Sequence, residues 1–529
     1  MTPTNRVSRR GLLAGGLALG AGALLTPAAR AAGRGWPRGP ITGAAARAVD
    51  PAKFMPRWQI HEWQEAADGI GLRATGSTAH HGYVDGLAAR MERVGISAVT
   101  AEGVPFDRWQ PSSWSLDVVG GHEAGPVEVA GYLPYSGDTG PDGVTARLCA
   151  IPMPGTIGIV SVASPPLPYL LLDVIDWDAP LQPRHAPGYN PLDLYARPWL
   201  STESLIDTMS AFEAAGAVGL IVVLDEPAEA ARGRYAPYDG VVRDLPALYV
   251  DRNTGAGLRK VALAGGKARL KLEAGVRTMT TPNVYGVIPG ASDELVVLSS
   301  HTDGTHGLEE NGPEAILAIA QYLARIPRDE LPRSILVLMS TGHLAGTSPG
   351  TTEFLRRHAD DLVARTAAAM SLEHLGARPW LPGPDGEYEI APGYEPGVVF
   401  SSPHVEMVKA GRRAQDRQRI GDNRVLRPFK PDPTLSSPSG FWWPGDGEPL
   451  WRTAGLPSLQ YISGPTYLLN AGMPTMRFVD TAVIRRQAIA FTDATLELVR
   501  MPRSRLDKRR LDDPSTVLDL LRALLPTRS

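Results

Sequence analysis

The stretch ELVVLSSHTDGTHGLEENGPEAILAIAQYLARI, residues 294–326, predicts a buried strand, a polar loop and a helix, in that order. The run ELVVLSS has the length and apolar composition of a strand that is buried on both faces. In PEAILAIAQYLARI the apolar residues recur at helical spacing, so a helix follows. Between them, His301 and Asp303 stand at the end of the strand, and Glu309 and Glu310 precede the helix. A loop of this composition suits metal binding or proton transfer.

Three further segments repeat this strand pattern, and amphipathic helices separate them. They are SILVLMST (334–341), AAAMSLEH (367–374) and LPSLQYIS (456–463). Buried strands between amphipathic helices predict an α/β fold with a mixed central sheet flanked by helices. Ligand sites in such folds lie at the carboxyl ends of the strands. His301, His343 and His374 all come within a few residues of such ends, so we expect them to meet at one edge of the sheet.

The N-terminus carries the features of a removable export signal. Arg9 and Arg10 form a twin-arginine pair, an apolar stretch rich in Gly, Ala and Leu follows, and Ala29-Arg30-Ala31 matches a cleavage site. We assign residues 1–31 to this signal. The mature protein is expected to be secreted or periplasmic, with no stable membrane association.

Composition excludes several classes of function. The net charge of −3, with both signs interspersed along the chain, gives no basis for binding nucleic acid. Cys149 is the single cysteine, so no intramolecular disulfide forms and stability must come from core packing. At 529 residues the chain is long enough for two or three domains. The oligomeric state is left open.

The pattern of elements changes along the chain and predicts an insert. Residues 118–275 alternate short strands and helices around a proline-rich excursion, whereas residues 276–505 read as the α/β region. A helix within residues 40–117 has an apolar face that must pack on the later α/β region. Residues 506–529 form a C-terminal extension.

Several quoted segments resemble the zinc aminopeptidases of metallopeptidase family twenty-eight, of the bacterial leucyl-aminopeptidase and glutamate-carboxypeptidase type. The family's N-terminal turn and helix are similar to the segment RATGSTAHHGYVDGLAARMERVGI. The family's entry into the catalytic domain is similar to NVYGVIPGASDELVVLSSHTDG. GDGEPLWRTAGLPSLQYISGP is similar to its late loop and strand. The middle segments AFEAAGAVGLIVVLDEP and LPALYVD resemble a protease-associated domain. The resemblance implies a zinc-aminopeptidase-like (phosphorylase/hydrolase-like) fold with an inserted, β-rich protease-associated domain.

The resemblance also implies roles for individual residues. Family members use two zinc ions that share a bridging carboxylate, and a Glu serves as general base. By this comparison His301 is a zinc ligand and Asp303 is the carboxylate that orients it. Glu310 falls at the position of the bridging carboxylate, and Glu373 at that of another ligand. Glu309 is interpreted as solvated, although adjacent acids cannot be told apart by sequence.

The chain departs from the family at the second metal position. Leu344 stands where the family has a glutamate ligand, and PTYLLNAGMP lacks the late histidine. We therefore expect one divalent metal, zinc by preference, held by His301, Glu310 and Glu373, with His374 as a further candidate. His343 is a base or a fourth ligand, and His306 is a weaker candidate.

These observations favour an exported hydrolase that cleaves an amide or peptide bond in a small substrate, with His343, Asp303 and Glu310 as catalytic residues. Two alternatives stay open: a non-catalytic binding protein, and an enzyme of changed chemistry such as a glycan-acting hydrolase or lyase. The aromatic residues of the late loop are candidate substrate-binding residues, although such groups are more often part of the core. They are Trp442, Trp443, Trp451 and Tyr467.

Overall fold

A computed structural model describes residues 35–162, 164, 167–177, 190–346, 349–419, 424–429 and 443–510. The described residues from Ile41 onward belong to one compact unit, and Pro40 and the residues before it belong to another. The predicted signal at residues 1–31 and most of the predicted C-terminal extension lie outside the described residues. None of the described helices is long and apolar enough to cross a membrane.

Twelve α-helices are found in the described chain. In chain order α1 to α12 they are Arg57–Asp68, Thr78–Arg93, Tyr169–Val174, Thr202–Ala214, Ala228–Ala231, Arg252–Leu263, Gly312–Leu323, Pro349–Arg357, Val405–Gln418, Glu448–Arg452, Thr481–Leu498 and Arg503–Leu506. The start of α2 shows how sequence fixes a helix end, because the Ser77 hydroxyl accepts a hydrogen bond from the backbone N–H of His80.

Eighteen strands are found in the same described ranges. In chain order β1 to β18 they are Ser97–Val119, Gly125–Val127, Gly131–Tyr132, Val144–Cys149, Ile157–Ser161, Leu167–Pro168, Leu194–Tyr195, Gly219–Val223, Ala247–Val250, Lys267–Ile288, Ser292–His301, Arg333–Ser340, Thr366–Leu372, Trp380–Pro382, Tyr388–Ile390, Gly397–Ser401, Val425–Leu426 and Ser458–Ser463.

The main sheet confirms the predicted fold class, a mixed α/β architecture. Its path runs β17-β16-β18-β13-β11-β12-β10-β4-β5-β8-β9-β3, and β1 pairs with β10 beside this path. β18, β13, β11 and β12 are parallel to one another, while β10 is antiparallel to β12 and β16 is antiparallel to β18. Parallel strands end at a common edge, so this order brings the residues after β11, β12, β13 and β18 together.

A long two-stranded ribbon joins the two halves of the sheet. β1 and β10 pair antiparallel from Ser97 opposite Val287 to Val119 opposite Lys267. One end of β10 pairs with β12 and the other end with β4, which begins the strands of the middle region. The strands are continuous through positions 117 and 275, where the sequence patterns change.

The helix α7 packs directly beneath the end of the parallel strands, and all of its residues are buried. A Cβ atom at Gly312 would lie 1.9 Å from the carbonyl oxygen of Leu372 and 2.1 Å from the hydroxyl of Ser300. Only glycine allows the first turn of α7 to approach the strands this closely. The contact places the loop before α7, with its two glutamates, against the carboxyl ends of β11 and β13.

Candidate metal centre

The ends of three parallel strands supply the histidines of one buried group. His301 is the last residue of β11, His343 follows β12, and His374 follows β13. The rings of His301 and His343 stack with 4.0 Å between centroids, and those of His301 and His374 meet edge to face at 6.2 Å. The structure therefore brings these three predicted site residues together, with Glu373 beside them.

Backbone carbonyls orient two of these imidazoles. Nδ1 of His301 lies 2.7 Å from the carbonyl oxygen of Asp303, and Nδ1 of His374 lies 2.6 Å from that of Ser463. A carbonyl oxygen only accepts hydrogen bonds, so each Nδ1 must carry the proton. Each Nε2 is then a lone-pair donor, and both are buried with no hydrogen-bond partner. This tautomer is the one in which a histidine binds metal through Nε2.

Glu373 completes a group of three possible metal ligands. Its Oε1 accepts a hydrogen bond of 2.8 Å from the backbone N–H of Asp446, whereas its Oε2 is buried without a partner. One ligand atom each from His301, Glu373 and His374 lies within 4.8 Å of the other two. Leaving three buried polar atoms unsatisfied is costly, and two imidazoles with one carboxylate are a set that suits zinc. These residues fit a divalent cation.

Backbone strain marks the same group. His374 has a φ of 54°, in the left-handed region. A residue other than glycine is rare there and costs of order 1–3 kcal/mol. Two hydrogen bonds with Ser463 hold His374 in this conformation. His374 Nδ1 donates to the Ser463 carbonyl, and the Ser463 hydroxyl donates to the His374 carbonyl at 2.6 Å.

His343 differs from the other two histidines because both of its ring nitrogens face carboxylates. Nδ1 lies 3.1 Å from Oδ1 of Asp446, and Nε2 lies 3.0 Å from Oε1 of Glu309. The second contact is an ion pair that lacks hydrogen-bond alignment, since Glu309 Oε1 has no hydrogen-bond partner by geometry. His301, His343 and Asp446 form a second group with metal-ligand spacing, but here the two nitrogens of His343 are already engaged.

The protonation states follow from burial and from these contacts. Burial works against charge on His343, but the carboxylates of Asp446 and Glu309 outweigh it and raise its pKa well above the ordinary value. Burial lowers the pKa of His374 to about 3. The pKa of His301 is also lowered, mainly by burial and to a smaller extent by the charge of His343. Both of these imidazoles are therefore neutral, as metal binding requires.

The carboxylic acids of the group divide into two kinds. Burial, and then the charge of Asp446, raise the pKa of Glu373 to about 8. Burial also opposes ionisation of Glu309, yet its contact with His343 brings the pKa below the ordinary value. Without a bound cation, Glu373 is thus a neutral acid at pH 7, while Glu309 is an anion paired with His343.

Asp303 supports the turn that carries His343. Its carboxylate accepts hydrogen bonds from the backbone N–H groups of Gly342, His343 and Leu344 at 3.0, 3.2 and 2.8 Å, and from the hydroxyl of Thr75 at 2.5 Å. The sequence comparison implied that this carboxylate orients His301. The structure shows instead that the Asp303 carbonyl contacts His301, while its carboxylate fixes the turn after β12.

Glu310 does not join the group, contrary to its predicted place among the ligands. Its carboxylate forms a buried ion pair with Arg73 and accepts a 2.9 Å hydrogen bond from the Tyr83 hydroxyl. Burial raises the pKa of Glu310 and the Arg73 charge opposes that rise. The interpretation of Glu309 as solvated is wrong, because its side chain is fully buried and contacts His343.

The predicted aromatic residues take structural positions where they are described. Trp443 is buried, stacks on Trp451 with 5.0 Å between ring centroids, and donates from Nε1 to Gln460. Tyr467 is fully buried and its hydroxyl donates to the carbonyl of Arg378 at 3.0 Å. These two side chains therefore support the loops around the group and present no surface to a substrate. Trp442 lies outside the described residues.

His306 is also structural. Its Nε2 lies 2.8 Å from the carbonyl oxygen of Tyr467, and its Nδ1 accepts 3.2 Å hydrogen bonds from the backbone N–H groups of Leu308 and Glu309. With both nitrogens engaged, the ring holds the loop that presents Glu309 and is not available to a metal.

Sequence reasoning missed Asp446 and assigned the wrong member of the Glu309–Glu310 pair. Asp446 stands in PGDGEP, where flanking glycines and proline are signals of a fixed turn. The backbone N–H of Gly447 donates to Gln460 at 2.8 Å, which holds that turn against β18. A lone acid between two glycines in the predicted late loop was the available signal.

No protein-family model matches the sequence, and no curated protein matches it. Solved structures do share its fold. BSAP, a zinc aminopeptidase from Bacillus subtilis, has a TM-score of 0.55 at 14% identity, over 85% of this chain and 96% of that one. The peptidase M28 precursor from Shewanella amazonensis SB2B has a TM-score of 0.59 at 14% identity, over 87% and 95%.

A third solved protein agrees with these two. The aminopeptidase from Aneurinibacillus sp. strain AM-1 has a TM-score of 0.52 at 13% identity, over 89% of this chain and 98% of that one. At such low identity, the similarities establish the fold. The predicted zinc-aminopeptidase-like architecture is confirmed.

Proposed function

We propose that the protein is an exported metal-dependent hydrolase that uses one divalent cation, zinc by preference, to cleave an amide or peptide bond. The observation that carries the proposal is the metal-ligand spacing of His301, Glu373 and His374, one ligand atom of each lying within 4.8 Å of the other two. Each of these residues also has a buried atom without a hydrogen-bond partner: Nε2 of His301, Nε2 of His374 and Oε2 of Glu373. The fold shared with solved zinc aminopeptidases supports the same chemistry.

The three residues would hold the cation and leave a coordination position open. A cation in this place supplies Lewis-acid chemistry, which polarises a substrate carbonyl and lowers the pKa of water. Glu309, an anion at the edge of the group, accepts the proton that attacking water loses. His343 carries a proton between two carboxylates and donates it to the departing nitrogen. This division of roles replaces the earlier interpretation of His343 as a base.

The stoichiometry of metal binding tests the proposal. The chain from Ala32 onward, stripped of metal and dialysed against zinc, should bind one equivalent by elemental analysis. His301→Ala and His374→Ala should bind none tightly, because two strong donors are too few. His61→Ala, on the exposed side of α1, is the control and should bind as the unmodified chain does. No bound zinc would contradict the proposal and favour the non-catalytic alternative, and two tight equivalents would mean that His343 and Asp446 hold a second ion.

Activity provides the second arm of the test. A panel of peptide, ester and glycan substrates should give hydrolysis of an amide that is lost with a chelator and restored by zinc. Cleavage that survives complete removal of metal would contradict the proposal and favour acid–base chemistry on the same fold.

The export part of the proposal rests on the twin-arginine pair, the apolar stretch and the cleavage site within residues 1–31. Replacement of Arg9 and Arg10 by lysine should retain the precursor inside the cell, as judged by fractionation and by N-terminal sequencing of the mature form. Unchanged export of that variant would rule out the twin-arginine route.

A further inference from the structure

Two arginines stand directly opposite each other on the long ribbon of β1 and β10. Arg108 of β1 pairs with Arg277 of β10 in the antiparallel register. Directly opposite residues of such a pair have side chains on the same face of the ribbon, with Cβ atoms about 5 Å apart. Like charges in this arrangement repel each other and destabilise the strand pair. The ribbon therefore carries a concentration of positive charge that works against folding.

Neither of these two guanidinium groups has a carboxylate partner. Within the part of the chain that the structure describes, no Asp or Glu side chain forms an ion pair with Arg108 or Arg277. The same ribbon shows what a matched pair looks like, because Arg269 lies directly opposite Asp117 and binds it at 3.2 Å. Asp107, next to Arg108, is on the other face, since successive side chains of a strand alternate. The two arginines thus share one face without a counter-ion.

The Arg108 side chain is held in place but keeps most of its donors. Its Nη1 donates to the carbonyl oxygen of Gly76 at 3.5 Å and to the sulfur of Met279 at 4.0 Å, both long contacts. Its Nε is buried without a hydrogen-bond partner, which is costly for a charged group. A guanidinium has five N–H donors in a planar fork, so several of them are available to a ligand.

The surroundings of Arg108 are aromatic and supply no negative charge. Burial lowers its pKa, the nearby phenol of Tyr235 opposes this shift, and the charge of Arg277 adds to it. Burial raises the pKa of Tyr132, another neighbour, to about 12, so that ring is also neutral at physiological pH. Arg108 itself stays charged, because arginine does not lose its proton in proteins. Arg277 is exposed, so the pair can be reached from solvent.

We propose that Arg108 and Arg277 form a binding site for a small, doubly charged oxyanion. An anion between the two guanidinium groups replaces their mutual repulsion by charge-assisted hydrogen bonds to both. Two positive charges favour a dianion, such as a phosphate group or a dicarboxylate, over a singly charged anion. The site consists of ribbon residues and includes none of the predicted metal ligands. It therefore does not depend on a cation at the metal centre.

Inorganic phosphate is the first probe, and titration calorimetry of the mature chain at pH 8 measures its affinity. Arg108→Met and Arg277→Met should each lower this affinity about tenfold or more, through the loss of charge-assisted hydrogen bonds. Arg93→Met, which removes an exposed arginine of α2 that has no ion pair with the described chain, is the matched control for net charge. The part of the affinity that depends on Arg277 should be the same before and after zinc is added.

Succinate and acetate, titrated at the same ionic strength, identify the class of anion. Binding of phosphate but not of succinate would assign the site to phosphate groups, and succinate binding that depends on both arginines would assign it to dicarboxylates. Acetate that binds as tightly as either of them would overturn the preference for a dianion.

The thermal midpoint gives an independent readout. Removal of one arginine relieves the repulsion, so without added anion Arg277→Met should melt at or above the midpoint of the unmodified chain. Phosphate, compared with chloride at equal ionic strength, should raise the midpoint of the unmodified chain and of Arg93→Met, but not that of Arg277→Met.

Equal phosphate affinities of the unmodified chain and Arg277→Met would overturn the proposal, as would failure of the unmodified chain to bind either phosphate or succinate. Arg277 is exposed, so its variant decides the question even if Arg108→Met does not fold. Failure of the chain to bind zinc would overturn the proposed function and leave this anion site standing.

Discussion

Acid should destabilise the protein through His80, which is buried under the first turn of α2. Its Nδ1 accepts a 3.0 Å hydrogen bond from the backbone N–H of Gly76, and its Nε2 lies 2.8 Å from the Thr302 hydroxyl. Thr302 donates its own proton to the Ser340 carbonyl at 3.0 Å, so Nε2 must be the protonated nitrogen. A second proton on Nδ1 would face the Gly76 N–H.

The size of this acid-induced loss of stability follows from the pKa of His80. Burial lowers the pKa of His80 from 6.5 to about 4. Between pH 6.5 and pH 4, His80 binds a proton in the unfolded chain but not in the folded chain. The unfolding free energy is therefore highest above pH 6.5 and falls as the pH drops toward 4. At about 1.4 kcal/mol per pKa unit, the loss is about 2 kcal/mol at pH 5 and about 3 kcal/mol at pH 4.

Urea titrations of the mature chain at pH 7 and pH 5, followed by tryptophan fluorescence, measure this loss. His80→Gln keeps an acceptor and a donor but does not titrate, so its unfolding free energy should fall by about 2 kcal/mol less than that of the unmodified chain. His81→Gln, altered at the partly exposed neighbour, should behave as the unmodified chain. Contributions from the metal centre are common to all three proteins and cancel. Identical pH dependence of His80→Gln and the unmodified chain would refute the reasoning.

Three further predictions concern packing, a buried ion pair and the support of the centre. Gly312→Ala should lower the unfolding free energy by about 3 kcal/mol or more in a urea titration, because the added methyl group would overlap the backbone carbonyl of Leu372. Gly257→Ala, on α6 with nothing near the added methyl group, is the control and should be neutral or slightly stabilising. Arg197→Met should cost about 3–5 kcal/mol, since it removes the cation of a buried ion pair with Glu395. Arg356→Met, in an exposed pair, should leave the thermal midpoint unchanged. Asp303→Asn should lower the unfolding free energy by about 2 kcal/mol, because its amide nitrogen cannot accept a hydrogen bond as the carboxylate oxygens do from the turn of His343. An unchanged stability in the urea titration would show that the turn needs no carboxylate.

The strand pattern was predictable because it is a local property of the chain. ELVVLSS, SILVLMST and AAAMSLEH each form a parallel strand within two residues of the predicted bounds. Parallel strands end at one edge, so the meeting of His301, His343 and His374 follows from the fold class alone. The sequence therefore predicted which histidines meet at this edge of the sheet, although it did not give the contacts of each side chain.

The side-chain directions were not predictable, because distant partners decide them. Glu310 turns away from the histidines toward Tyr83, which is 227 residues earlier in the chain. Asp446 reaches His343 across 103 residues. His80 is buried against Thr302, which is 222 positions away. No pattern of neighbouring residues carries this information.

The antiparallel ribbon of β1 and β10 determines how this protein can be altered. Val119 lies opposite Lys267, so the 147 residues between them leave and re-enter the fold at adjacent positions. The closure entropy of an insertion at such a point depends only weakly on its length. Another module with neighbouring ends can therefore replace this one without a change in the parallel strands that carry the histidines. In evolution or in the laboratory, such a module can then be exchanged while the order of the parallel strands stays the same.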